Sequence, residues 1–332
     1  GSYWLKKDSA DGRLLIWRCG LEMVKDAPWT GHGIGSFEAK YMDYQADYFK
    51  EYGSQNRYAM LADNVKQPFN EYLGVLINFG IVGLALLLGM VGALVYCYRQ
   101  NPTQEKKIAL YALLSIGVFS FFSYPFTYPF TWMVTFLAVL MLAADYLKRI
   151  KIGTTWARNI MYSVTVVSCF WGQIRLGART QSERSWQEAS ELALCRSYDE
   201  ALPYYVSLKH RFEDNPYFLY NYAAVFTEAK EYEKALKVAL ECRKYWADYD
   251  LELLLGDIYR EKKDYKQAEE YYISASYMCP SRFLPLYQLY ELYKCIGNTE
   301  KASELAKILL EKPAKVNSAL IRKIRYMVKK DG

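Results

Sequence analysis

From Tyr72 to Tyr98 the chain carries 27 consecutive residues without a charged side chain. As one helix that run extends about 40 Å, more than the roughly 30 Å hydrocarbon core of a bilayer. A second run, Ile108 to Leu147, holds 40 residues with Asp145 as its only charge. At about 60 Å it is too long for one crossing and fits two. The break is written in Tyr124-Pro125-Phe126-Thr127-Tyr128-Pro129, where two prolines interrupt the run among aromatics suited to a membrane interface. A weaker apolar stretch, Ile160 to Ile174, lies near Trp156 and Trp171. A buried soluble helix is the alternative for that stretch. The expected organisation is all-α: an outer loop at 1–70, then a membrane region at 71–175 with spans near 72–98, 108–124, 129–147 and 158–175. A helical repeat domain is expected at 176–332.

Charge sets the expected orientation. Arg99, Lys106 and Lys107 follow the first span, and Lys148, Arg149, Lys151 and Arg158 follow the third. Two crossings separate these short loops, so they share a side, and the positive-inside rule makes that side cytoplasmic. Residues 1–70 and the C-terminal region then face outward. The net charge of +6 is modest and does not point to nucleic acid. Seven cysteines, an odd number without a CxxC pair, suggest neither a disulfide framework nor a zinc site. Leu14-Leu15-Ile16-Trp17 is too short for a signal-peptide core, and a chain that opens on an outer loop reads as a C-terminal piece of a longer protein.

The C-terminal region repeats. Ala201, Ala235, Ala268 and Ala302 recur at separations of 34, 33 and 34. The pattern is fullest around Ala268, with Leu255-Gly256, Tyr259, Tyr272, Ala275 and Pro280. These are the tetratricopeptide positions, where small residues let antiparallel helices touch and aromatics fill the gaps. Tyr204, Tyr205, Tyr271, Tyr272, Tyr287, Tyr290 and Tyr293 fit the core of such repeats better than a carbohydrate- or peptide-binding groove. The basic run Arg322, Lys323, Arg325, Lys329, Lys330 reads as a solvated helix face.

Residues 8–71 hold the informative chemistry. Asp11 is expected to cap a helix over 12–26, with Leu14, Trp17, Leu21 and Val24 on one stripe and Pro28 beyond its end. Arg13 lies one turn before Trp17, so the indole could brace the guanidinium. Arg18 is about 140° further around and points elsewhere. Gly31-His32-Gly33-Ile34-Gly35 could expose N–H groups to an anion, although plain turns share this composition.

Taken in order, these residues resemble a family. An Arg-Leu-x-x-Trp helix is followed by a D-x-P-x-x-G-x-G-x-G-x-F turn, a stretch with Tyr41, Tyr44 and Tyr48, and Pro68-Phe69-Asn70-Glu71-Tyr72-Leu73 entering a span. The set looks like the O-antigen ligase and polymerase superfamily, in its Bacteroidetes-type members with C-terminal tetratricopeptide repeats. The resemblance implies a GT-C-like glycosyltransferase of the bacterial inner membrane, truncated here, with 1–70 and the repeats periplasmic. Such enzymes move a glycan from undecaprenyl diphosphate to a lipid or glycan acceptor hydroxyl, without cofactor or metal. Arg13, with Arg18 as second choice, would bind the diphosphate; a surface salt bridge is the alternative for Arg18. Ligases usually read His-Asn-Glu at the span entry, and that histidine is thought to activate the acceptor. Here the position is Phe69, leaving Asn70, Glu71 and His32 as candidate catalytic residues. Glu71 could serve as base, His32 could swing in on a mobile loop, or positioning alone could suffice. Asn70 and Glu71 could equally be polar residues opening a helix. Alternatives to a ligase are a repeat-unit polymerase, a protein O-oligosaccharyltransferase, and a non-catalytic membrane-anchored scaffold whose repeats hold a protein partner.

Overall fold

The structure, a computed structural model, describes the backbone of residues 2–149 and 155–331, and every regular element among them is helical. In chain order these are α1 (Ser2–Asp26), α2 (Ser36–Tyr52), α3 (Glu71–Gln100), α4 (Gln104–Ser120), α5 (Pro129–Arg149), α6 (Thr155–Leu194) and α7 (Tyr198–Leu208). There follow α8 (Pro216–Glu228), α9 (Tyr232–Arg243), α10 (Tyr249–Glu261), α11 (Tyr265–Met278), α12 (Leu284–Cys295), α13 (Thr299–Glu311) and α14 (Ala319–Asp331). Two compact units result: Gly1–Phe69 with Leu73–Gly83 and Asp214–Gly332, and Asn70–Tyr72 with Leu84–Glu213. Lys151 of the expected inner basic loop, and the side chains of Lys148, Arg149, Arg158 and Cys169, lie outside the described residues.

In the first unit, α1 begins well before the expected cap, so Asp11 sits inside the helix rather than at its start. Its buried stripe is Leu15, Ile16, Cys19 and Met23, while Leu14 and Leu21 are exposed. The stripe is rotated because α1 is covered from two sides. Phe37, Tyr41 and Met42 of α2 share its core, and Gly20 lets Leu73 and Ile77 of α3 approach. A Cβ on Gly20 would stand 3.0 Å from the Leu73 side chain. Along α2, Phe37, Tyr41, Met42, Gln45, Ala46 and Phe49 are buried at helical spacing.

The same core continues into the C-terminal helices. Leu15 and Phe49 belong to one apolar cluster with Tyr272, Met278, Tyr290 and Val328. Polar contacts reinforce the junction. Gln45, fully buried, donates to the carbonyls of Asp63 and Met278 and accepts the Tyr41 hydroxyl, which satisfies a polar group that burial would otherwise penalise. Arg243 joins Glu252 to Asp43, Arg282 pairs with Asp63, and Tyr217 donates to Glu38. Lys66 lies over the rings of Tyr217 and Trp246. The outer loop thus folds as part of the repeat domain.

The repeat-like region is built from hairpins α8–α9, α10–α11 and α12–α13, with α14 closing it. Ala235, Ala268 and Ala302 each occupy the fourth residue of a second helix and are buried. A Cβ on Gly256 would meet the Tyr272 ring at 2.4 Å, so glycine there makes room for that ring. Tyr272 donates to Asp257 at 2.6 Å. Tyr205, Tyr272, Tyr290 and Tyr293 are core, as expected, Tyr271 and Tyr287 are half-buried, and Tyr204, expected in the core, is exposed. Each hairpin turns on one left-handed residue: Lys230 (φ 61°), Lys263 (φ 63°) and Gly297 (φ 76°). The basic face of α14 is exposed at Arg322, Lys323, Lys329 and Lys330, but Arg325 turns inward over Phe283.

In the second unit, α3 and α5 are long and apolar enough to cross a membrane, and α4 spans 17 residues. The proline break falls where expected, with a short helical turn at Pro125–Thr127 between α4 and α5. Asp145 pairs with Lys106 at 2.6 Å and accepts from Asn101. Helix α6 runs unbroken for 40 residues, about 60 Å, through the expected 175/176 boundary. With α7 it forms a further hairpin, turning on Arg196 (φ 62°) and burying Ala201 and Tyr205.

Candidate active site

The segment leading into α3 carries the one left-handed non-glycine residue described in the outer loop. Phe69 has φ 52°, a left-handed conformation that a bulky side chain adopts at a cost of order 1–3 kcal/mol. Two contacts to α1 surround it. The Trp17 indole Nε1 donates to the Pro68 carbonyl at 3.0 Å, and the Arg13 guanidinium carbon stands 5.5 Å from the Phe69 ring centre. Phe69 is thus an aromatic partner of Arg13, and Trp17 fixes the peptide before Phe69. Arg13 and Trp17 lie one turn apart on α1, so one helix face holds the adjacent residues Phe69 and Pro68. At this distance the ring supports the cation by about 0.5–1 kcal/mol.

Arg18 points elsewhere, as its position on the helix requires. It lies over Tyr48 and Tyr52, 5.0 and 4.7 Å from their ring centres, and among the described residues it pairs with no carboxylate. Burial raises the Tyr48 phenol above its usual range, and the Arg18 charge pulls it partly back.

Both ring nitrogens of His32 have hydrogen-bond partners. Its Nε2 lies 2.8 Å from the Met23 carbonyl and its Nδ1 3.3 Å from Lys40 Nζ, so Nε2 donates and Nδ1 accepts. Met23 is ten residues beyond Arg13, about 15 Å along α1, so the structure does not bring His32 to Phe69. Nearby, Tyr44 donates to Asp26 at 2.6 Å; burial and then that carboxylate raise its phenol.

The glycine loop is fastened to α3 by a reciprocal exchange. His32 N donates to Ile77 O at 2.8 Å and Gly33 N to Asn78 O at 3.0 Å. Those carbonyls would otherwise accept from Ile81 and Val82 within α3. Instead Ile81 N donates to Pro28 O and Val82 N to Trp29 O. The helix breaks at Gly80 (φ 63°, ψ −160°), where a Cβ would lie 2.3 Å from Trp29 O. A Cβ on Gly31 would strike the Asn78 peptide at 2.4 Å. Ser36 adds a hydrogen bond to the Asn78 side chain. The N–H groups of Gly31, His32 and Gly33 are thus committed to protein carbonyls, which removes them from the anion-holding reading. The exchange was missed in the sequence; its signal was the polar Asn78 two residues before a glycine within an apolar run.

In the second unit Glu71 opens α3, and its Oε1 accepts the Phe126 N–H at 3.1 Å. Trp132 Nε1 donates to the Phe126 carbonyl, and Tyr72 donates to Gly117 O at 2.9 Å. The α4–α5 turn therefore orients the carboxylate, leaving its second oxygen to other partners. Among the described residues no group of His, Cys, Asp and Glu could hold a metal ion.

Residues 3–88 match the O-antigen ligase family (Wzy_C). No curated protein matches the chain. Among solved structures, a MamA RS-1 ArsTM double mutant is 17% identical and covers 45% of this chain and 76% of its own, with a TM-score of 0.36. That similarity is too low to speak to fold or function. Over residues 3–88, then, the chain is similar to the O-antigen ligase family.

Proposed function

We propose that the chain is part of an inner-membrane glycosyltransferase that moves a glycan from undecaprenyl diphosphate to an acceptor hydroxyl, with the outer loop and repeats periplasmic. The carrying observation is Arg13 over Phe69 just before α3, on a backbone held by Trp17. In this reading Arg13 receives the charge that builds on the departing diphosphate, and its planar fork suits two phosphate oxygens. Arg18 is a secondary cation. Asn70 and Glu71 orient the acceptor, with Glu71 aligned by Phe126 to take its proton. His32, hydrogen-bonded to Met23 and Lys40, takes a structural role in this reading. Phe69 replaces the acceptor-activating histidine of the ligases by drying the site and backing Arg13, and in low dielectric each charge interaction grows.

The hairpins, with their alanine and left-handed turn periods, fit tetratricopeptide units. Their shared core with the outer loop favours a role as scaffold for the site over recruitment of a protein partner. The test is reconstitution of the full-length protein with an undecaprenyl-diphosphate-linked glycan and a panel of lipid, glycan and peptide acceptors. Release of undecaprenyl diphosphate that depends on one acceptor class supports the reading. No release with any acceptor overturns it in favour of a non-catalytic scaffold.

A further inference from the structure

The break at Gly80 divides α3 into stretches with different surroundings. Before it, Leu73, Ile77 and Gly80 are buried. Beyond it, among the described residues, α3 buries none, and Ile81, Val82, Leu86, Leu88 and Met90 are all exposed. From Ile81 to Tyr98 there are 18 uncharged residues before Arg99. They extend about 27 Å, close to the hydrocarbon thickness, whereas the full run from Tyr72 overshoots it by about 10 Å. Length and burial both start the hydrocarbon at Gly80.

The glycine loop is fastened at this point. Its side chains Trp29 and Ile34 are 68% and 86% exposed, and Phe79 beside the break is exposed as well. Three large apolar groups thus stand unburied where an apolar helix leaves its protein cover. The backbone suits the same place. The N–H groups of Gly31, His32, Gly33 and Ser36 are all bonded to carbonyls, so this part of the loop can approach lipid without stranding those donors. Tryptophan is also the residue most at home at the headgroup level.

We propose that residues 28–35 form a membrane-surface anchor, with Trp29 and Ile34 inserted into the outer leaflet beside Gly80, where the span begins. The occupant of this apolar surface is the lipid bilayer itself, continuous with the lipid around α3. The inference rests on α3 crossing a membrane, and not on the transfer reaction. Its consequence is a fixed depth for the outer loop relative to the headgroups.

The test uses the full-length protein in nanodiscs of phosphatidylethanolamine and phosphatidylglycerol. A fluorescent amino acid is placed by codon suppression at position 29 or 34, with position 86 as the lipid reference and position 50 as the water reference. Both test sites are exposed, so neither replacement disturbs the core, and each is read independently. Loss of aqueous iodide quenching to the level at 86, with quenching by lipids spin-labelled near the headgroup, is the expected result at both. Iodide quenching as strong as at 50 overturns the proposal. Shielding from iodide and lipid quenchers alike also overturns it, because the surface would then be covered by protein.

Discussion

Replacing Gly80 with alanine tests the exchange that binds the glycine loop to α3. The native φ and ψ lie in a region open essentially to glycine alone, so alanine there costs on the order of 1–3 kcal/mol. Its Cβ would also stand 2.3 Å from the Trp29 carbonyl, so the loop must withdraw. Withdrawal breaks four loop–helix hydrogen bonds. A straightened α3 regains two of its own, from Ile81 to Ile77 and from Val82 to Asn78, so the net loss is two bonds, about 2 kcal/mol. That bond loss is the cost of detaching the loop in either protein, so it cancels from the comparison. The strain acts on the attached state alone and lowers the cost of detachment by on the order of 1–3 kcal/mol, about one to two decades in amide protection, with the clash adding to it. Hydrogen exchange of the full-length protein, read on peptides covering 28–35, should therefore show exchange at His32 and Gly33 faster by at least that factor. Wild-type protection there in the Gly80→Ala protein would refute the reasoning.

Two further predictions concern the junction of loop and repeats. Arg243→Ala strands the buried Glu252 carboxylate and frees Asp43, which should destabilise the first unit by about 3–5 kcal/mol. Limited proteolysis within α2 should accelerate accordingly, and adding Glu252→Gln should recover part of the loss. Asp248 is 2% exposed, and burial pushes its carboxyl up to about 7. Because the folded value exceeds the unfolded one, its contribution to stability is full below about pH 4 and is lost as pH rises through 7. Asp248→Asn keeps an acceptor for the Asp250 N–H, so α10 should gain up to about 4 kcal/mol over wild type above pH 7 and nothing near pH 4. Exchange protection of α10 across that range checks the sign.

What was legible in the sequence was what local composition determines. The uncharged runs, the proline break before Pro129 and the alanine period each follow from burial acting on neighbouring residues. What was not legible depends on distant partners. The buried stripe of α1 turns toward Leu15 and Met23 because α2 and α3 cover it from two sides. Gly80 could not be told from Gly74, Gly83 or Gly89 in the same apolar run until Trp29 was known to press against it. The pairing of Arg13 with Phe69 joins residues 56 positions apart. The turn residues were hidden differently: Lys230 and Lys263 take a conformation that sequence reading reserves for glycine, because the flanking helices determine it.

The central claim is that the Arg13 guanidinium holds the donor diphosphate. Its most direct test is the steady-state kinetics of glycan transfer by the full-length Arg13→Lys enzyme, with donor concentration varied. Lysine keeps the charge but replaces a planar fork with a point charge, and loss of one charge-assisted bond of about 1.5–3 kcal/mol corresponds to about 10–100-fold in kcat/KM. The account predicts a fall in that range with the repeat domain's protease resistance unchanged. A kcat/KM equal to that of the wild-type enzyme would contradict it.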